Sequence, residues 1–338
     1  MPKISVLLPC FNAAATLEAT LESIAAQTLE DFEVVAVDDG STDSTPDILA
    51  HWAGRDPRFR SLPLPHGGII PALNAGLSEC RAGIVARMDA DDLMHPARLA
   101  RQAAYLEAHP DVDLVSSLVA GFPVDELREG FRLYIEWLNT LTTHADICRE
   151  LFVESPLCHP SVAFRKQAVS ELGGYQEHGW AEDYDLWLRM AQAGKRFEKI
   201  PEMLLEWREH PERLTRTDSR YSLENFLRAK AHYLAKGPLA DRDEVIIWGA
   251  GMHGRRLSKH LLREGVDLAA FVDIDPKKIG RTRRGRPIIS PEGLPDLWAG
   301  ANNPALLASV GARGARELIR RQLTDLGLRE GLDWWAAA

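Results

Sequence analysis

The stretch Ile84-Val85-Ala86-Arg87-Met88-Asp89-Ala90-Asp91-Asp92 sets three carboxylates directly behind an aliphatic run. The run reads as a buried strand, and its acids fall at the carboxyl end, where open α/β sheets bind their ligands. Carboxylates packed this closely repel one another unless a cation sits among them. A hard divalent ion carrying substrate phosphates answers that need, because Mg²⁺ and Mn²⁺ take one or two carboxylates together with phosphate oxygens. The plainer reading of Asp-Ala-Asp-Asp alone is a solvated turn capping the next helix. Elsewhere Asp38-Asp39 closes the apolar run from Phe32, and Glu182-Asp183 opens a segment with Leu186 and Met190 on one helical face. Backbone N–H groups of a first helical turn favour an ionised carboxylate, so Asp183 is expected unprotonated near neutral pH and able to accept a proton. Helix capping is the alternative role for that acidic pair.

These acids need a scaffold, and the chain supplies an alternating one. A strand from Ile4 to Leu8 leads into Pro9-Cys10-Phe11-Asn12, and a helix from Ala15 to Gln27 follows. Next come a strand Phe32 to Val37, a helix through Ile48, Leu49 and Trp52, a weak strand near Phe59 to Leu62, a helix Ile70 to Cys80 and the acidic strand. That order predicts a mostly parallel sheet with helices on both faces, and it brings Asn12, Asp39 and the Asp89–Asp92 cluster to one rim. Beyond Val112 the pattern predicts a strand Asp113 to Val119, a long helical stretch from Phe131 to Phe152, and helices over Glu182 to Ala193 and Tyr221 to Lys236. Gly237-Pro238 and Asp241-Arg242-Asp243 mark a linker. The expected organisation is one domain over residues 1–236, a linker at 237–243 and a second α/β domain over 244–338.

In the second domain Gly249-x-Gly251-x-x-Gly254 follows a strand and opens a helix, and Asp273 lies 22 residues beyond Gly251 at the next strand end. This is the context of a dinucleotide fingerprint, with pyrophosphate at the helix N-terminus. Residues 244–338 are too few for a full six-stranded dinucleotide fold, so Gly249, Gly251, Gly254 and Asp273 are expected to form at most a half-size second nucleotide site. Docking or homo-oligomerisation is the other use such a domain would have.

At 338 residues the chain is comfortable for two cores, and its 45% hydrophobic and 26% charged composition is that of a globular protein. The net charge of −9 argues against general affinity for nucleic acid. Met1-Pro2-Lys3 runs straight into a short strand, unlike a signal peptide, and no apolar stretch approaches the roughly 18 to 20 residues needed to span a bilayer. A cytoplasmic protein, at most peripheral to a membrane, is expected. Its four cysteines stand far apart without a CxxC pair, so reduced thiols are expected, and Cys158-His159 is a weak metal or nucleophile pair.

Six motifs in order resemble the family 2 glycosyltransferases of the GT-A fold over residues 3–212. They are Ser5-Val6-Leu7-Leu8-Pro9-Cys10-Phe11-Asn12, Val37-Asp38-Asp39-Gly40-Ser41-Thr42-Asp43, Ala72-Leu73-Asn74-Ala75-Gly76-Leu77, Arg87-Met88-Asp89-Ala90-Asp91-Asp92, His159-Pro160-Ser161-Val162 and Glu182-Asp183-Tyr184-Asp185-Leu186-Trp187. The resemblance implies an α/β GT-A nucleotide-diphospho-sugar transferase domain. It implies Pro9 and Asn12 at the nucleotide loop, Asp39 at the base, Asn74 in the donor region, Asp89 and Asp91 as the DxD motif, and Asp183 as catalytic base with Glu182 beside it. The implied partners are a nucleoside-diphosphate sugar, a UDP-sugar foremost, and a glycan, lipid-linked or small-molecule acceptor.

Mn²⁺ or Mg²⁺ is the implied cofactor, held by Asp91 and Asp89. His210 either completes that metal site, as in some relatives, or lies in a polar surface loop. Arg87 either touches the diphosphate or makes an ion pair. Tyr134, Trp137 and Trp180 have faces suited to stacking on a sugar ring, with core packing the default for Tyr134 and Trp137, which stand three apart on a helix. The second domain is similar to small Rossmann-like domains attached to sugar-modifying enzymes. An NAD(P)-dependent sugar oxidoreductase centred on it, or an inactive sugar-nucleotide scaffold, is the competing reading.

Overall fold

The computed structural model describes residues 1–338, which divide into two compact units. The first holds residues 1–147, 156–178 and 182–217; the second holds 148–155, 179–181 and 218–338.

The first unit is built on eight strands: β1 (Ile4–Cys10), β2 (Phe32–Asp38), β3 (Phe59–Pro63), β4 (Ile84–Arg87), β5 (Leu93–Met94), β6 (Leu114–Phe122), β7 (Ala163–Arg165) and β8 (Phe197–Arg208). Their order is β3-β2-β1-β4-β7-β6-β8-β5. β1, β2, β3 and β4 run parallel, with Cys10 beside Asp38 and Leu7 beside Arg87, so their carboxyl ends share one rim as expected. Every residue of β1, β2 and β4 is buried, as parallel strands covered on both faces require. The helix Ile69–Glu79 lies close on this sheet at Gly76, where an added Cβ would meet Leu7 and stand 2.6 Å from Val37 Cγ2.

β8 is absent from the sequence reading. Its segment Phe197–Arg208 carries Pro201 and several charges, which mask strand periodicity, yet it pairs in parallel with β6 over its length with a shift near Ser117 and Leu118. The helical stretch expected over 131–152 is two helices, Glu129–Thr140 and His144–Glu150. Thr143 and Asp146 break it by bonding reciprocally, the Thr143 N–H donating to Asp146 Oδ2 (3.2 Å) and the Asp146 N–H to Thr143 Oγ1 (3.2 Å), as in a capping box.

The second unit has β9 (Glu244–Trp248), β10 (Leu268–Val272), β11 (Thr282–Arg283), β12 (Arg286–Ile289), β13 (Pro304–Ala308) and β14 (Trp334–Ala336), in the order β11-β12-β10-β9-β13-β14. All pairings but β11 with β12 are parallel. The boundary expected at 237–243 lies instead at 217/218, because the helix Leu223–Lys236 belongs with this unit: Lys259 and His260 both reach Glu224, and His232 reaches Glu264 at 3.2 Å. Segment 148–155 joins it through buried Glu150, which pairs with Arg316 (2.7 Å) and Arg320 (2.9 Å), and through Val153 O, which accepts from Lys230 Nζ (2.6 Å). Trp180 is buried here against His232, so it is core rather than a sugar platform. No helix is long and apolar enough to cross a membrane.

The Gly76 contact yields a test. Gly76→Ala should destabilise the first unit by about 1–3 kcal/mol through overpacking, whereas Gly83→Ala, with open space at its Cβ position, should leave the urea midpoint unchanged.

Candidate active site

Two strand ends, those of β4 and β8, build the acidic side of the site. β4 delivers Arg87 and then the Asp89–Asp92 loop. The helix Leu17–Ala25 and the residue before it pin that loop, Thr16 Oγ1 donating to Ala90 O and Thr20 Oγ1 to Asp92 O, both at 2.9 Å. β8 arrives from the other side, its Arg208 N–H donating to Asp92 Oδ1 (2.8 Å) and Arg208 Nε to Asp91 O (2.6 Å). Carboxylate oxygens of Asp89, Asp91 and Asp92 thus lie within 4.8 Å of one another.

Asp92 is completely buried, and its Oδ2 has no hydrogen-bond partner. Burial, then repulsion from Asp91 and Asp89, pushes its carboxyl well above the ordinary range. Burial also raises Asp89, with Asp91 adding to the rise and Arg87 opposing it. Asp92 is therefore more than a cap on the next helix; it is the buried member of the cluster. His210 Nε2 sits 2.7 Å from Asp91 Oδ2, which takes it out of the free surface loop and into the cluster. A carboxylate set with one orphaned buried oxygen and an adjoining imidazole suits Mn²⁺ well, and Mg²⁺ through its carboxylates.

Arg87 is buried and forms a close ion pair with Asp89, while its Nε has no partner. Its charge is also felt by Glu182, His159 and Asp183, so the acidic loop and the start of the helix Glu182–Gln192 address one centre. That helix is held by Arg189, which pairs with buried Asp185 (2.7 Å) and donates to Leu172 O and Gly174 O, both at 2.9 Å. Glu182 is buried, 3.9 Å from His159 Nδ1. His159 Nε2 meets the buried Tyr175 hydroxyl at 2.9 Å, and burial keeps this histidine neutral.

Asp183 is half-buried and accepts the Tyr184 N–H at 2.7 Å. Burial and the Glu182 charge raise its pKa to about 7, overcoming the stabilisation expected from the helix start. The expectation of a fully ionised group at neutral pH is corrected accordingly. A carboxyl poised near 7 is better matched to proton transfer than an ordinary one.

At the rim expected to take the donor, Asn12 has a left-handed backbone (φ 47°) and joins two loops, its Oδ1 accepting Thr42 N–H and its N–H donating to Ser41 Oγ, both at 2.9 Å. Asp39 is buried and accepts the N–H groups of Gly67 (2.8 Å) and Gly68 (2.9 Å), with His66 Nδ1 at 2.9 Å. His66 stacks on Phe11, centroids 4.2 Å apart at 18°, and Phe11 is 46% exposed. This aromatic shelf beside Asp39 escaped the sequence reading; the adjacency of His66 to the Gly67-Gly68 turn was the available signal.

Pro9 is buried within β1, so its ring shapes the strand end beneath the loop. Asn74 fixes Tyr175, its Nδ2 donating to the carbonyl (2.8 Å) and its Oδ1 accepting the N–H (2.9 Å). Cys158 is buried with its thiol pushed well up, which suits neither nucleophile nor ligand. Tyr134 and Trp137 pack partly buried against the core.

The sequence profile described as Glycosyl transferase family 2 matches residues 5–173, half of the chain. The chain is a family 2 glycosyltransferase. It is 36% identical over 208 residues to the amylovoran biosynthesis glycosyltransferase AmsE of Erwinia amylovora, covering 60% of this chain and 75% of that one. It is 27% identical over 250 residues to an Escherichia coli UDP-Gal:alpha-D-GlcNAc-diphosphoundecaprenol beta-1,3-galactosyltransferase, covering 72% and 88%. In fold this glycosyltransferase resembles S. aureus TarS, solved with UDP-GlcNAc, at a TM-score of 0.57 and 19% identity over 78% of this chain and 72% of TarS. The first unit is thus of the expected GT-A type.

If Asp91 and His210 act together on a cation, His210→Ala should weaken Mn²⁺ binding by about 10–100-fold, read by titration with electron paramagnetic resonance. Unchanged affinity would return His210 to a purely structural contact.

Proposed function

We propose that this glycosyltransferase moves a sugar from a nucleoside-diphosphate donor, a UDP-sugar by preference, to a hydroxyl of a glycan, lipid-linked or small-molecule acceptor in polysaccharide synthesis, with inversion at the anomeric centre. The observation that carries the reading is Asp183, raised to about 7 and electrostatically linked through Arg87 to the Asp89–Asp92 cluster. The named activities of AmsE and of the E. coli galactosyltransferase support the glycan setting, and the latter supports UDP and a lipid-linked acceptor.

Asp91, Asp89 and His210 would hold a divalent metal, which supplies positive charge against the departing diphosphate. Asn12, Asp39 and the Phe11–His66 shelf offer polar and aromatic surface to the nucleoside. Asp183 takes the proton of the acceptor hydroxyl as that oxygen attacks, so the sugar changes hands in one displacement. Glu182, held near neutral His159 and Tyr175, fixes the position of that base and raises its proton affinity.

The test is nucleoside diphosphate release from a panel of nucleotide sugars with Mn²⁺ or Mg²⁺ and acceptor extracts. UDP-sugar turnover is expected, and Asp183→Asn should lower kcat by about 10²–10⁴-fold while donor binding persists. Full activity in Asp183→Asn removes the base assignment; donor binding without turnover in the wild type favours a scaffold.

A pH profile checks the same group. A general base works deprotonated, so kcat should fall as pH drops through about 7 and level off above it. A flat profile between pH 6 and 8, by order-of-magnitude titration reasoning, contradicts the role.

A further inference from the structure

The second unit contains a cavity of about 420 Å³ at the carboxyl ends of its parallel strands, within the usual size of small-molecule sites. It opens beside β9, where the strand order reverses between β10 and β13, the crevice in which open α/β sheets take ligands. The glycines there have separate tasks. Gly249 has φ 120°, and a Cβ on it would stand 2.5 Å from Ser309 O. A Cβ on Gly254 would collide with Gly249 O, so this glycine lets the helix Met252–Arg263 pack tightly on the turn. Gly251 has open space at its Cβ position, and it lines the cavity at the N-terminus of that helix.

Two independent features show that the cavity is built for an occupant. The Ser309 hydroxyl, on a residue 2% exposed, lines it without a hydrogen-bond partner. Three of the chain's exposed large apolar side chains, Met252 (52%), Ile274 (74%) and Leu318 (62%), border this one cavity. Apolar side chains, a helix N-terminus whose N–H groups attract anions, and Lys278 therefore line one cavity. A flat base joined to phosphate has both of the required ends.

The site is not arranged for a dinucleotide. Asp273, which would take an adenosine ribose, has Oδ2 accepting Ala250 N–H (2.9 Å) and Lys278 Nζ (3.0 Å), and Oδ1 accepting Asp275 N–H (3.0 Å). Its carboxylate is used to hold the glycine turn and to place Lys278. Asp275, 39% exposed in its side chain, is the acid left nearer solvent for a ribose hydroxyl.

We propose that this cavity binds a nucleoside diphosphate, its base against Met252, Ile274 and Leu318 and its phosphates at Gly251 and the helix start, at a site separate from the Asp89–Asp92 centre. The test uses the full chain with Asp39→Ala and Asp91→Ala to disable the first site. UDP, GDP, ADP, CDP and NAD⁺ are titrated calorimetrically in EDTA. At least one diphosphate should bind with one-to-one stoichiometry. Adding Gly251→Trp, which fills the cavity, should abolish that binding, and Lys278→Ala should weaken it roughly tenfold or more, the loss of one charge-assisted hydrogen bond. Unchanged melting temperatures show that these variants fold. The proposal is overturned if no diphosphate binds, if NAD⁺ binds in preference to all four, or if binding survives both substitutions.

Discussion

A single buried guanidinium organises the active centre. Arg87 ends β4 beneath the acidic loop, pairs with Asp89, and extends its field to Glu182, Asp183 and His159. Without that charge, crowding Asp89 against Asp91 and burying Glu182 beside Asp183 would place like charges together in a region of low dielectric, at a cost of several kcal/mol per unpaired buried ion. Arg87 limits that repulsion at Asp89, and Arg213 acts in the same sense on Asp89 and Asp92, without cancelling it. The remaining excess of negative charge gives the loop its demand for a further cation, while burial, with the Glu182 charge adding to it, gives Asp183 its affinity for a proton.

The rest of the first unit keeps these charges in place. Thr16 and Thr20 fasten the acidic loop from one side and Arg208 of β8 from the other. A second buried arginine, Arg98, donates to Arg87 O (2.8 Å), and burial lowers its pKa to about 9. Asn74 locks Tyr175, Tyr175 locks His159, and His159 stands beside Glu182. Such chains of satisfied hydrogen bonds hold a site rigid in a way that exposed loops do not.

Local signals in the sequence were enough to locate the rim. Aliphatic strands ending in acid put Asn12, Asp39 and Asp89–Asp92 together, because side-chain pattern alone decides which strand end meets solvent. What escaped prediction depends on pairing across long separations. β8 hides behind Pro201 and its charges and is stabilised by β6 some eighty residues earlier. The proton affinity of Asp183 depends on its own burial and on the Glu182 charge beside it, which no helix-start rule contains. The role of Asn74 is set by a turn at Gly174 and Tyr175, and the unit boundary by ion pairs from Glu150 and Glu224, neither of which leaves a local trace.

The central claim is a single displacement in which Asp183 is the base and no carboxylate of the cluster forms a bond to the sugar. The anomeric configuration of the transferred sugar tests it most directly. Proton NMR of the first-formed product, from a donor of known configuration, should show the opposite configuration at the anomeric carbon. Retained configuration would contradict the account, since it requires either two displacements or attack from the leaving group's own face.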